Sequence, residues 1–288
     1  MKNYVIVMDA AGDVCKELVK NNDIRCIPMQ YSLGDEMRTS SLEESPEILK
    51  KFYDGQRGGD LTRTSQITPF MYEEFFSPIL NEGKSILYIS LSSGLSSTFN
   101  SVCLAKESLK ETYPNVDVYA VDSLSATGGI GILLEKAVSN KAAGMSILEN
   151  YNSLNECVKN LCNWFMVQDL NYLKRGGRIS ATTAILGSML NIKPILKIDE
   201  VGKLTTISKK HGNKAAVKHL FELTHDNLDL DACPVVYIHD ADSRELSDYL
   251  AKMLIEAFPN AIVKQGTLSP IIGAHTGPGM VMVSYLSK

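Results

Sequence analysis

Ser85-Ile-Leu-Tyr-Ile-Ser-Leu-Ser-Ser-Gly-Leu-Ser-Ser-Thr98 is the stretch that decides the fold. Residues 85–91 form an uncharged, β-rich run, and a serine-glycine loop follows. From about residue 97, Val102, Ala105, Leu109 and Tyr113 recur at the 3–4-residue spacing of a helix, which predicts one over 97–112. Strand, glycine-bearing turn and helix make half of a βαβ unit, and the pattern repeats on both sides. Strands are expected over 4–10, 25–33 and 116–122, with helices over 13–22, 41–54, 68–82 and 128–143. This alternation argues for a largely parallel sheet.

The pattern changes after Gly144-Met145-Ser146. Ile147, Tyr151, Leu154, Val158 and Leu161 mark one face of an amphipathic helix. Strands over 164–170, 194–199 and 203–209 then crowd together, and Asp199-Glu-Val-Gly202 reads as the tight turn of an antiparallel hairpin. Helices over 212–226 and 242–257 alternate with strands over 235–239, 261–268 and 280–286. The expectation is therefore a two-domain α/β protein. An N-terminal α/β domain with a mainly parallel sheet covers 1–150, and a C-terminal α+β domain covers 151–288. The length of 288 residues fits two domains at roughly 150 residues each.

Composition excludes several function classes. A net charge of −4, without a block of like charges, gives no electrostatic footprint for a nucleic acid. No apolar run reaches the roughly 18 residues that span a bilayer, and the opening Met1-Lys-Asn-Tyr-Val-Ile-Val-Met-Asp9 reads as a strand rather than a leader. The expectation is a cytoplasmic protein with no nucleic-acid partner and no stable membrane insertion. Six scattered cysteines, Cys15, Cys26, Cys103, Cys157, Cys162 and Cys233, form no C-x-x-C pair and have no histidine at ligand spacing. Reduced thiols and no metal are expected.

Ligands of α/β sheets bind at the carboxyl ends of strands, and polar clusters fall there. Ser90 to Thr98 carries five serines in eight positions, with Ser93, Gly94, Ser96 and Ser97 ahead of a helix N-terminus. Free N–H groups at such an end favour an anion. One serine suffices for a cap; five exceed it. Thr62-Arg-Thr-Ser-Gln-Ile-Thr-Pro69 repeats the logic, with Thr64 and Ser65 before a helix that opens on Pro69. Asp9-Ala-Ala-Gly-Asp13 and Asp122-Ser-Leu-Ser-Ala-Thr-Gly-Gly129 complete the first half. In the second half, Arg175 and Arg178 flank two glycines in a segment that ends a helical turn and reverses, where Gly176 can take positive φ. A solvated basic turn and a guanidinium aimed at an acidic head group both fit that segment. His275 precedes Thr276-Gly277-Pro-Gly279, whose glycines permit close approach of a ligand, whereas His211, His219 and His225 lie in polar stretches read as helical surface.

Catalytic signatures are sparse. The elbow G-x-S-x-G, the phosphate loop G-x-x-x-x-G-K-[ST], G-x-G-x-x-G and H-E-x-x-H are absent. A Ser96, His275 and Asp122 triad is the hydrolase alternative, and a phosphotransferase acting on a small acyl substrate is another.

Taken together, the clusters resemble the DegV family of bacterial fatty-acid-binding proteins, which includes the lipid-binding subunits of fatty acid kinase. Thr64-Ser-Gln-Ile-Thr-Pro69 is similar to the family's T-S-Q-P-S-P, and Leu91-Ser-Ser-Gly-Leu-Ser-Ser-Thr-Phe-Asn-Ser101 to its L-S-S-x-L-S-G-T-Y-x-S. Val121-Asp-Ser123, Tyr172-Leu-Lys-Arg-Gly-Gly-Arg-Ile-Ser180, Ile192-Lys-Pro-Ile195 and His275-Thr-Gly-Pro-Gly279 match further blocks in order, so the likeness covers about 4–286. Departures stand at Ala10, Ile67, Ser97 and Phe99, and Ile207-Ser-Lys-Lys210 lacks the arginine of a basic strand motif. The resemblance implies one long-chain fatty acid, such as palmitate, stearate or oleate, held between the two domains. Thr64 and Ser96 would bind the carboxylate, with Arg175 and His275 as helpers and Ser65, Ser93, Gly94, Ser97, Thr276 and Gly277 as supporting loop. It implies lipid transport, or presentation of the acid to a fatty acid kinase catalytic subunit, with no cofactor and no bond chemistry of its own.

Overall fold

The computed structural model describes residues 3–40, 42, 44–180 and 191–288. The first half runs β1 (Tyr4–Asp9), α1 (Lys16–Asn21), β2 (Arg25–Ile27), β3 (Gln30–Leu33), β4 (Glu36–Thr39), α2 (Pro46–Gly58) and β5 (Thr64–Ser65). It continues with α3 (Pro69–Asn81), β6 (Ser85–Ser90), α4 (Thr98–Thr112), β7 (Val118–Asp122), α5 (Gly128–Ala142) and α6 (Ile147–Val158). The second half holds β8 (Leu161–Met166), α7 (Asn171–Arg175), β9 (Ile192–Ile198), β10 (Leu204–His211) and α8 (Asn213–Asn227). β11 (Val235–Asp240), α9 (Arg244–Ala257), β12 (Ile262–Thr267), α10 (Pro270–Thr276) and β13 (Val281–Leu286) end it.

β1 and β6 are buried at every position, the signature of central strands covered on both faces. They form the middle of a four-stranded parallel sheet ordered β2-β1-β6-β7. The second sheet has six strands, β10-β9-β8-β13-β11-β12, parallel only between β11 and β12. The α/β class with a mainly parallel first sheet and a mixed second one is thus as expected. One apolar cluster holds residues of both sheets, Val7 and Tyr88 of the first with Phe165, Leu196 and Met282 of the second, and Leu91, Ala126 and Met280 belong to it as well.

Local chemistry sets the helix starts. The Ser45 hydroxyl accepts from the Ile48 N–H (3.3 Å) and Thr68 from the Met71 N–H (3.3 Å), each with proline in the first helical turn. Ser146 and Glu149 form a reciprocal capping box on α6.

Several boundaries differ from the sequence reading. The expected strand 25–33 breaks at Pro28, which has no N–H for a ladder, so β2 pairs with β1 while β3 joins a small antiparallel sheet ordered β4-β3-β5. The β3–β4 hairpin went unread although Gly34 (φ +61) and Asp35 make a two-residue turn with glycine at its first central position. Residues 41 and 43, at the start of the helix expected over 41–54, lie outside the described residues. Thr64 and Ser65, expected in a loop, form β5 beside Tyr31 and Gln30. The strand expected over 164–170 runs over β8, three residues earlier, where Leu161 through Met166 pair with β13. His211 ends strand β10 rather than lying in a helix. α6, expected to open the second unit, packs on the first sheet: Asn150 donates to the Tyr4 hydroxyl (3.0 Å) and the Ala137 carbonyl (2.8 Å), so the chain enters the second sheet at Leu161.

The β9–β10 hairpin is antiparallel as expected, and its turn docks on the serine loop. Ser92 donates to the Gly202 carbonyl (2.8 Å), and a Cβ on Gly94 would come within 2.5 Å of that carbonyl. Gly202 has φ +73, and a Cβ there would stand 2.1 Å from Ser92 Oγ. Gly202→Ala should therefore lower unfolding free energy by about 1–3 kcal/mol from backbone strain alone, read from urea denaturation midpoints; an unchanged midpoint would refute the close docking.

Candidate functional site

A cavity of about 800 Å³ opens where the serine loop, β5, α10 and the inner face of the second sheet meet. One part of its lining is apolar, including Met29, Leu91, Phe165, Ile198, Ile271, Met280 and Met282. The other carries Thr64, Ser65, Gln66, Ser93, Ser96, Ser97, Arg178, His275 and Thr276.

The two hydroxyl segments of the first half are physically joined. Thr98 Oγ1 accepts from Ser96 Oγ (2.9 Å) and from the Ile67 N–H (3.4 Å), tying the serine loop to the threonine segment. The loop is anchored at its root by Asp9, which is fully buried. Asp9 Oδ2 accepts from the Leu91 N–H (2.7 Å) and the Tyr88 hydroxyl (2.9 Å), while Oδ1 accepts from the Ala11 N–H (3.1 Å). Burial raises the Asp9 carboxyl, and these donors oppose the rise.

His275 sits in α10, a seven-residue helix that Pro270 opens and that the sequence pattern does not announce. Its Nε2 lies 2.8 Å from Thr64 Oγ1. Burial, with the Arg178 charge second, pushes its pKa down to about 4, so the ring is neutral near pH 7. Nδ1 is buried without a partner among the described residues, and a Cβ on Gly176 would come within 2.4 Å of it. A buried lone pair without a donor is tolerated better than a buried N–H without an acceptor. That places the proton on Nε2, which donates to Thr64 Oγ1 and frees the threonine hydroxyl to donate into the cavity.

Arg178 is the cationic head of the site. Its Nε donates to the Leu95 carbonyl (2.9 Å) and Nη1 to the Gly176 carbonyl, and no carboxylate among the described residues pairs with it. Burial lowers its pKa, the mark of a partly desolvated charge.

Arg175, the arginine singled out from the sequence, does not reach this cavity. Its guanidinium lies 4.6 Å from the centroid of the Tyr172 ring and lines a separate 260 Å³ surface pocket with Arg63. The physical reason is the turn: Gly176 keeps helical φ (−70) and Gly177 takes positive φ (+74), so the chain reverses one residue later than expected and turns Arg178 inward. Thr64, Ser96, His275, Ser65, Ser93, Gly94, Ser97 and Thr276 all line the cavity; Gly277 does not. Gly277, at φ +72, stands behind it against the Tyr172 ring. The apolar part drew no attention in the sequence because Phe165, Met280 and Met282 look like any buried strand residues.

The imagined triad is not assembled. His275 is engaged with Thr64, while Asp122 Oδ1 accepts from the backbone N–H groups of Ser93 (3.1 Å) and Leu124 (3.2 Å). Among the described residues no group of three or more His, Cys, Asp or Glu could hold a metal ion, and no helix is long and apolar enough to cross a membrane.

Fold and site together define a class: a two-domain α/β protein with a cavity of mixed polar and apolar lining between a parallel and a mixed sheet. The chain belongs to the DegV family; the family model described as "Uncharacterised protein, DegV family" matches residues 3–288. It is similar to a DegV domain-containing protein of Clostridium perfringens, 36% identical over 286 residues, covering 99% of this chain and 98% of that one. Among solved structures it is similar to DegV of Bacillus subtilis, described as a fatty acid binding protein, with TM-score 0.84, 27% identity and 100% of each chain covered. The Fak B3 protein of Streptococcus pneumoniae fatty acid kinase, loaded with linoleic acid, shares the fold at TM-score 0.86 and 20% identity, with 99% of this chain and 100% of that one covered.

Burial of His275 carries a pH signature. Its folded pKa of about 4 lies below the ordinary value of 6.5, so its stability contribution is present above pH 6.5 and is lost as pH falls toward 4. His275→Gln removes that loss, and the variant should gain on the wild type between pH 7 and pH 4.5 in paired denaturation curves; a gap that widens as pH falls would contradict a neutral buried ring.

Proposed function

We propose that the protein binds one long-chain fatty acid in the 800 Å³ cavity and presents its carboxylate at the polar end. The observation that carries this reading is that Arg178, with no carboxylate partner among the described residues, lines one cavity together with Thr64, Ser96, His275 and a set of apolar side chains. The fatty-acid-binding Bacillus subtilis relative supports it.

The tail supplies the affinity. Burying about 14 methylenes at roughly 0.8 kcal/mol each gives about 11 kcal/mol gross, reduced by association and ordering costs. A cavity of this size lies toward the upper end of the roughly 300–1,000 Å³ usual for small-molecule sites. The head group supplies orientation. A carboxylate cannot be left unpaired in a dry site; here Arg178 offers charge, and Thr64, backed by Nε2–H of His275, offers a hydroxyl proton. Ser96 would re-aim its hydroxyl from Thr98 to join them. Ser65, Ser93, Gly94, Ser97 and Thr276 shape the entrance, while Arg175 stays outside as a surface charge.

In this reading the protein is a carrier without bond chemistry or a cofactor. It works in the cytoplasm, where its six cysteines remain thiols, and it hands the acid to lipid metabolism. The fold shared with Fak B3 supports a kinase catalytic subunit as the recipient that phosphorylates the carboxylate.

Native mass spectrometry of gently purified protein should reveal a co-purified fatty acid, and palmitate or oleate should raise the melting temperature of delipidated protein; finding neither would sink the proposal. Arg178→Gln should weaken oleate binding about 10- to 100-fold, the scale of a hydrogen bond to a charged group, whereas Arg175→Gln should change it less than about twofold.

A further inference from the structure

The chain carries more acidic than basic side chains, 33 against 29, so two arginines that share one pocket without an acid call for a reason. Arg63 and Arg175 line a surface pocket of about 260 Å³ together with Leu61, Thr62, Tyr172 and Gly176, and no carboxylate of the described residues lines it. The pocket is separate from the lipid cavity but backs on it, because a Cβ on Gly176 would come within 2.4 Å of His275 Nδ1.

Both arginines stand on fixed parts of the chain. Ser32 clamps the Arg63 backbone: the Arg63 N–H donates to Ser32 Oγ (2.8 Å), and the Arg63 carbonyl accepts from the Ser32 N–H (2.9 Å). The Arg175 guanidinium lies 4.6 Å from the centroid of the Tyr172 ring, and the Tyr172 hydroxyl donates to the Gln56 carbonyl (3.0 Å), which holds that ring in place. Stacking on an aromatic face narrows the range that an exposed arginine explores. The hydroxyl of Thr62 is committed in both directions, donating to the Ala274 carbonyl (2.9 Å) and accepting from Gln56 Nε2 (2.9 Å). His275, on the far side of Gly176, is neutral and supplies no countercharge. The side-chain donors left open in this wall are the two guanidiniums.

Like charges that line one pocket repel, and an anion within reach of both replaces repulsion by attraction. A guanidinium is a planar fork of N–H donors that matches the oxygens of carboxylate or phosphate. One arginine already satisfies a carboxylate. A phosphate monoester carries about −1.5 to −2 charges near pH 7 and three acceptor oxygens, enough to engage two arginines. We propose that this pocket is a second ligand site, which binds a phosphate group through Arg63 and Arg175. Its volume falls below the roughly 300–1,000 Å³ usual for whole small-molecule ligands, so it takes the phosphate group and leaves the rest of any larger ligand in solvent.

The test is titration of the delipidated full chain at low ionic strength, where exposed charges are least screened. The probes are inorganic phosphate and adenosine monophosphate, with acetate and adenosine as controls, followed by NMR. Phosphate should bind saturably with a millimolar or lower dissociation constant, acetate about tenfold more weakly, and adenosine not at all. Equal affinity for the two phosphates assigns the pocket to the free ion, and tighter binding of the nucleotide assigns it to a phosphate monoester. Arg63→Gln and Arg175→Gln should each weaken phosphate binding about tenfold, the scale of a hydrogen bond to a charged group. Both side chains are exposed, and circular dichroism checks that the variants fold. Lys218→Gln, at an exposed position of α8, should change the affinity less than about twofold. A response that chloride reproduces at equal ionic strength would overturn the proposal, as would binding that the Arg63→Gln, Arg175→Gln double variant retains. Binding lost in Arg178→Gln but kept in both other variants would place the phosphate in the lipid cavity and overturn it as well.

Discussion

The guanidinium of Arg178 is held by two backbone carbonyls, those of Leu95 and Gly176, and by no carboxylate among the described residues. A partly buried cation paired only with dipoles is incompletely compensated, and its natural complement is an anion brought in from outside. Much of the polar end of the cavity is arranged around that constraint. The Leu95 carbonyl belongs to the serine loop and Gly176 to the turn after α7, so Arg178 also bridges the first half of the chain to the second. Its charge helps to keep His275 neutral, and a neutral His275 can give its single proton to Thr64.

The rest of the architecture keeps these groups in register. Asp9 turns its carboxyl group to the root of the serine loop rather than to the cavity and so fixes Leu91 and, through it, the start of the loop. Thr98 ties that loop to Ile67, and the β9–β10 turn closes over Gly94. A ligand carboxylate would therefore meet a largely preorganised head-group site, so little binding energy would be lost to ordering it.

Much of this was legible in the chain. The run from Ser85 to Thr98 predicts β6, its loop and α4 to within a residue or so at the helix start, because an apolar strand, a serine-glycine turn and a 3–4-residue apolar spacing are local signals. The hydroxyl clusters at Thr64 and Ser96 stand out for the same reason. Less local features were missed. α10 is only seven residues long, and its Ile271 and Ile272 have no periodic context. β2 and β3 read as one strand because Pro28 interrupts pairing without interrupting the apolar pattern. The choice between Arg175 and Arg178 turned on whether Gly176 or Gly177 takes positive φ, a one-residue difference that neighbouring glycines conceal.

The sequence by itself determined the alternating elements, the two-part organisation, the polar clusters at strand ends and the absence of the catalytic motifs sought in it, because each is written in residues close together in the chain. Only the tertiary structure decided which clusters meet. Thr64 and His275 are 211 positions apart and Arg178 reaches back 83 positions to Leu95, and no local pattern encodes such contacts. The apolar end of the cavity was likewise invisible, since a side chain that lines a void and one that fills a core have the same composition. They differ only in what stands opposite them once the two sheets have packed.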